Sequence, residues 1–535
     1  MKQRIENTVH GFFIAGCFAA VIALSGCSLL FEPNETSGSK IETYAQMASI
    51  TDGVYVQLGN AVKSEEFYCL NFNADDCYKD GQLYYSYYGD DNCKIYYYNF
   101  DEDFVYTSLY KVIASANNIL SQYNLEKVSD RNTKAVLGEL FFLRSYCYFR
   151  LARSYGQVPL IDNTDISYTV EKPSYTEEYE FIEYDLLKAI ELLPDNNNTS
   201  RVPYQTPHRG TAKALLAELY LSWAGYPIKD ETKYTLAAST AAEVIDSSGY
   251  YGFELLPDFA DLWNKSGRYN NESVFSYYGD YSKGAIYGGN CTYAFSEEVN
   301  FRIGGTFTTD NRYFYTDLNF STEVDFYNKY PKEYRKDITF YTSIFVPKFY
   351  DFTPDSGTTY SIDTIDQCSR ASFRKFYIDT ALTVFWDLSD ESFINIDFYF
   401  MGNPRIYILR YAQTLLTYAE AAARSGKLDD KAYTCINRIR RRAHHLDLDS
   451  PSPYDLQSGL SADAFADSVV QERAWELAGE TEGRWFDLLR LEKLDEVLAP
   501  NVSMEDNYLY KKNLLKNYFL PLPQSDAELN PNLKR

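Results

Sequence analysis

The chain has 535 residues and is acidic, with 75 Asp and Glu against 51 Lys and Arg and a formal net charge of −24. Such a surface repels nucleic acid and anionic lipid, so neither is an expected partner; a neutral or cationic ligand suits it better. The length allows a large core, as one big domain or as several, and 51 tyrosines give the chain an excess of rings with polar tips.

The first residues, Met1-Lys2-Gln3-Arg4, are basic, and an apolar run follows from Phe12 to Leu24. The run is too short and too close to the terminus for an ordinary transmembrane helix. It ends Leu24-Ser25-Gly26-Cys27, small residues before a cysteine, which is the order of a bacterial lipoprotein processing site. Residues 1–26 are therefore expected to be a signal peptide, with cleavage freeing Cys27 for acylation. Two or more acyl chains, palmitate among them, give stable anchoring. No later stretch is long and apolar enough to span a bilayer, so attachment is expected through lipid alone. Residues 27–40, with Pro33, Asn34 and Gly38, read as a flexible tether.

Helical spacing begins at Ile41 and runs to Leu58. A tyrosine-rich stretch follows, with Tyr84, Tyr85, Tyr87, Tyr88, Tyr96, Tyr97 and Tyr98 interrupted by Asp90, Asp91 and Asn92. Helical period returns over Phe104–Leu125, Ala135–Tyr155, Tyr179–Leu193, Arg209–Trp223 and Lys233–Ser247. Gly156 and Pro159 stop the second of these in the expected order. Helix pairs at this spacing point to tetratricopeptide-like stacking, although the strict repeat signature is absent. Between about 250 and 400 the helical period gives way to Pro, Gly, Asn and aromatic residues, with strand-like runs at Val274–Tyr278 and Thr339–Phe345. Helices are expected to resume at Tyr407, and Lys431–His445 pairs with that helix. The last helical block, Phe465 to Leu491, carries Val469, Val470, Arg473, Leu477 and Glu480 at helical spacing and breaks at Gly483. Arg473 and Glu476 lie three apart, as do Arg484 and Asp487, so each pair is expected to meet on one helical surface. The expected fold is mostly α, a helical hairpin array (41–250 and 401–535) around a loop-rich insert with small β-elements (251–400).

The block Glu472-Arg473-Ala474-Trp475-Glu476-Leu477-Ala478, followed by Gly483-Arg484-Trp485-Phe486-Asp487-Leu488-Leu489-Arg490, resembles the SusD/RagB family of outer-membrane glycan-binding lipoproteins. Four more blocks resemble it: Arg144 to Leu160 with its Tyr-Gly-Gln-Val-Pro-Leu end, Asp258 to Trp263, Arg410 to Ala421, and the tail from Tyr518 to Leu533. Ser145 and Ala527 stand where other residues are usual. The resemblance implies a lipid-anchored protein on the outer membrane, facing the cell exterior. It also implies a SusC-like TonB-dependent barrel as partner and a glycan as ligand, with the chain sitting on the barrel as a lid. Some relatives serve peptide uptake, so a peptide-binding lid is the alternative, and a secreted glycoside hydrolase a further one.

No catalytic or metal-binding pattern stands out. The four histidines are His10, His208, His444 and His445; the last two follow Arg440-Arg441-Arg442 at what reads as a solvated helix end, and neighbours on a helix point to different faces. No nucleophile elbow or phosphate-cradling glycine loop is present, no carboxylate pair is marked for glycoside hydrolysis, and no cofactor is expected. With Cys17 in the leader and Cys27 acylated, an odd number of cysteines remains, which argues against a complete disulfide framework. A bridge within Cys69, Cys77 and Cys93 stays open, because export exposes thiols to oxidants. Sugars stack their C–H faces on aromatic rings, and loops on a rigid scaffold are where binding groups concentrate. The candidate ligand residues are therefore Tyr87, Tyr88, Tyr96 and Tyr97, with Asp90, Asp91 and Asn92 as hydroxyl partners, and Tyr287, Asn290 and Tyr293 from the middle insert.

Overall fold

The chain divides into two units, Met1–Lys40 and Ile41–Arg535. The computed structural model describes residues 40–62, 70, 74–79, 102–278 apart from 165, 166, 168, 265, 266 and 268, then 302–304, 315–317, 320–348, 361–373, 375, 405–498, and 519–533 apart from 521.

Helices α1 (Tyr44–Val62), α2 (Glu102–Leu120), α3 (Arg131–Tyr155), α4 (Tyr175–Leu192), α5 (Arg209–Trp223) and α6 (Lys233–Asp246) pack each on the next. The fold is mostly helical, as its sequence pattern predicts. The starts are chemically marked. Asp130 accepts from the Thr133 amide at 2.7 Å, and Ser174 forms a reciprocal capping box with Glu177. The central helix α3 is buried along its whole length from Ala135 to Tyr155, so it has no solvent face. It ends at Gly156, whose φ of +75° a side chain adopts only with strain, and whose Cβ would lie 3.1 Å from the Phe519 ring.

A short helix α7 (Tyr334–Thr339) belongs to the middle of the chain, and the array continues through α8 (Tyr411–Arg424), α9 (Asp430–Ala443), α10 (Ala462–Glu476) and α11 (Arg484–Arg490). Helix α8 packs on α6, α9 and α10 and joins the two halves of the array. Trp485 is buried in the large core that runs through all of them.

Two boundaries differ from expectation. Residues Arg405–Arg410 form strand β8, and the helix begins only at Tyr411. The run Ile406-Tyr407-Ile408-Leu409 is continuously apolar and buried on both faces, which carries no period to separate strand from helix, and its β-branched and aromatic residues suit a strand. Helix α10 stops at Glu476, so Leu477 and Glu480 lie beyond it. Leu477 is the C-cap, and Gly479 follows at φ +76°.

The β-elements, most of them in the insert, are small but ordered by pairing. Strands β1 (Tyr78–Lys79), β5 (Phe320–Ser321), β7 (Ser361–Phe373) and β6 (Phe340–Lys348) make one sheet in the order β1-β5-β7-β6. Strand β2 (Ser273–Tyr278) pairs antiparallel with β8, and β3 (Arg302–Gly304) pairs with β4 (Tyr315–Asp317).

Candidate functional site

The segment from Phe465 to Leu491 is held by ions, not by a local ladder. Glu476, the last residue of α10, accepts from Arg410 at 2.9 Å and Arg442 at 2.7 Å on one oxygen, and from Arg335 at 2.8 Å on the other. Arg410 also donates to Glu480 and to Glu272, both at 2.8 Å, and Arg442 donates to Glu272 as well. The side chains of Arg410, Arg442, Glu272 and Glu476 are wholly inaccessible. Burial raises the Glu476 carboxyl, but Arg442, Arg410 and Arg335 outweigh it and hold the group at about 2. Glu420 is likewise at about 2: burial opposes ionisation, and Arg490 and Arg424 overcome it.

The two local pairs expected from spacing are not formed. Arg473 reaches Glu218 at 2.8 Å and Asp487 at 3.0 Å, while Glu476 takes the three arginines above. Arg484 donates twice to Asp75, and Asp487 faces Arg490. Buried charges need good geometry on every donor, and partners from other elements supply more of it than one helix turn can. The basic end of α9 is also not solvated throughout: Arg442 is fully buried, Arg441 pairs with Asp455, and the His444 ring stacks on Tyr454 at 3.5 Å. Of the two histidines His445 is the exposed one.

Cys27 and the nominated ligand residues Tyr87, Tyr88, Asp90, Asp91, Asn92, Tyr96, Tyr97, Tyr287, Asn290 and Tyr293 lie outside the described residues. Their anchors are described. In the chain, strand β1 precedes the 84–98 stretch, and β5 follows Tyr287, Asn290 and Tyr293. The two strands pair directly, Tyr78 opposite Ser321 and Lys79 opposite Phe320, and Ser321 pairs on to Ser372 of β7. Just before β1, Asp76 accepts the Gly479 amide at 2.9 Å while Asp75 holds Arg484. Gly479 is needed there, since a Cβ would lie 2.8 Å from the Phe373 ring. Beyond β7, Lys375 donates to Glu480 at 2.7 Å. Strands β1 and β5 are thus fastened side by side to the same C-terminal block. Cys77 is a free, buried thiol in the small apolar cluster of Phe326, Tyr330, Phe340 and Phe373.

Within the insert, Tyr278 is the last residue of β2. The Tyr278 ring lies 4.9 Å from that of Tyr269, which lies 6.0 Å from that of Tyr204. Sequence reasoning missed this run, because Tyr204 and Tyr269 are isolated in composition and stand in separate loops. The one available signal was each tyrosine's place beside amides in a Pro- or Gly-containing loop.

Two family models cover more than half of the chain between them. One described as the SusD family matches residues 400–535, and one described as starch-binding associating with outer membrane matches 32–221. The chain belongs to the SusD family. A relative, SusD-like protein P2 of Formosa agariphila, is 28% identical over 447 residues, covering 79% of this chain and 78% of that one. A SusD homolog from Bacteroides thetaiotaomicron superposes with a TM-score of 0.71 at 22% identity, over 94% of this chain and 98% of that one. A laminarin-binding SusD-like protein superposes with a TM-score of 0.64 at 21% identity, over 92% and 98%.

In this SusD chain Glu476 is held as an ion, and at Glu480 the effect of burial is likewise outweighed by Arg410 and Lys375, whereas a general acid for glycoside hydrolysis needs its pKa raised. These two carboxylates are suited to holding loops. Among the described residues no group of His, Cys, Asp and Glu is placed to hold a metal ion, and no helix is long and apolar enough to cross a membrane.

Proposed function

We propose that the chain is a non-catalytic, cell-surface lipoprotein that captures oligo- or polysaccharide and passes it to a SusC-like TonB-dependent outer-membrane barrel. The observation that carries this reading is the β1–β5 pairing, which sets the strand that precedes the 84–98 stretch beside a strand that follows the middle nominees, on a charge-locked scaffold. Binding groups on loops over a rigid base are the arrangement that capture requires. The family description, starch-binding associating with outer membrane, and the laminarin-binding neighbour support a glycan as ligand. Acylated Cys27 and the tether to residue 40 supply the attachment, and residues 41–250 and 401–535 frame the insert at 251–400.

The test is calorimetry and affinity electrophoresis of the mature protein against a polysaccharide panel, with oligopeptides as the second arm. Glycan binding without sugar release is the expected result. Release of sugar would make the protein a hydrolase, and binding of oligopeptides alone would make it a peptide lid. Cys27→Ala is expected to leave unprocessed precursor without lipid label.

A further inference from the structure

We infer that Tyr204, Tyr269 and Tyr278 form a second sugar-stacking face, made of none of the ligand residues nominated from the sequence, that takes a ring of a neutral polysaccharide already held elsewhere on the protein. This rests on the glycan-binding reading above. Tyr269, the middle ring, is 46% exposed, so the run opens to solvent at its centre. The rings of this run tilt by 39° and 38° from one to the next.

Tyr204 is also held where a tyrosine is not at ease. Its φ is +67°, a left-handed conformation that bulky residues avoid. The loop enforces it: the Tyr204 amide donates to Asn197 Oδ1 at 2.7 Å, and Thr206 closes the turn with Val202 on both sides. Strained backbone of this kind persists when the surroundings over-determine it, and it gathers at ligand sites.

The polar groups beside the rings fit sugar hydroxyls. The Tyr204 hydroxyl donates to Asn271 at 3.2 Å, and the exposed Gln205 amide reaches the Tyr269 hydroxyl at 3.5 Å. None of these five side chains carries a charge at neutral pH, Arg405 stands opposite Tyr278 across the β2–β8 pairing, and the chain as a whole is strongly negative, which favours a neutral glycan over an anionic one.

The experiment is affinity electrophoresis of the full-length mature protein in gels containing laminarin, soluble starch, xylan or mannan. Tyr269→Ala is expected to weaken retardation about three- to tenfold in the polymer that the wild type binds, while Tyr269→Phe keeps most of it. Tyr204→Gly relieves the backbone, so its thermal midpoint should hold or rise while retardation weakens; a purely structural tyrosine would show the reverse. Wild-type retardation by the Tyr269→Ala, Tyr204→Gly double variant would overturn the face and leave the glycan reading standing. A wild type retarded by none of the four polymers would overturn both.

Discussion

Glu476 and Asp76 are both buried carboxylates fastened to the same C-terminal block, and they are driven in opposite directions. Burial raises each. Glu476 has three guanidiniums on its two oxygens and sits at about 2. Asp76 has the Gly479 amide on one oxygen and no hydrogen-bond partner on the other. Its nearest arginine, Arg484, is committed to Asp75, whose own charge adds to the burial effect, and Asp76 is pushed up to about 7. The number of cations facing a buried acid, not its depth, decides whether it is a fixed ion or a group that titrates near neutrality. The Glu476 cluster is of the first kind, and the fastening of β1 is of the second.

Removing Glu476 should give the largest effect. Glu476→Ala strands three buried arginines and is expected to lower stability by about 3–5 kcal/mol in urea titration. A loss below about 1 kcal/mol would mean that the arginines find other acids and that the contrast with Asp76 is not one of partner number. The same group sets an acid limit. Its folded pKa lies below the ordinary 4.5, so its contribution is complete above that value and is lost as pH falls toward 2.

Asp76→Asn should act at the other end of the scale. The folded pKa is raised from 3.8 to about 7, so Asp76 weakens the folded state progressively across that window and remains a penalty above it. The asparagine keeps an acceptor for Gly479 and carries no charge. It is expected to raise stability by about 1–3 kcal/mol at pH 8 and to change little at pH 4. A stabilisation independent of pH would show that Asp76 does not titrate in this range.

Arg484→Ala has the smallest global effect of the three, about 1 kcal/mol, because the Asp75 side of the pair is partly exposed. Its local effect is larger: amide exchange at 74–79 should quicken while that of α3 stays unchanged. Equal acceleration in both would contradict a local fastening.

The helices were legible because period, caps and stops agree; Arg209–Trp223 has the same ends in sequence and structure. Strand β8 was not, since an apolar run buried on both faces has no period to read. The ion pairs were not legible either. Spacing finds neighbours on one helix, and Arg473 chose Glu218 and Asp487, which only the tertiary fold brings near. Of the site, the nominated tyrosines lie outside the described residues. The Tyr204 run escaped because three rings that meet in space are spread over three stretches of chain.

The fastening of β1 also sets an order of events during folding. The bond from Asp76 to Gly479 spans 403 residues, and that from Arg484 to Asp75 spans 409. Contacts of such separation form late, after the helical pairs that need only local closure. A chain delivered from its N-terminus therefore exposes residues 74–79 and the segment beyond them before their seat exists. A product truncated ahead of Gly479 would keep the helical pairs of its first half and lack the anchor for β1, so proteolysis at 74–79 would distinguish incomplete copies from finished ones.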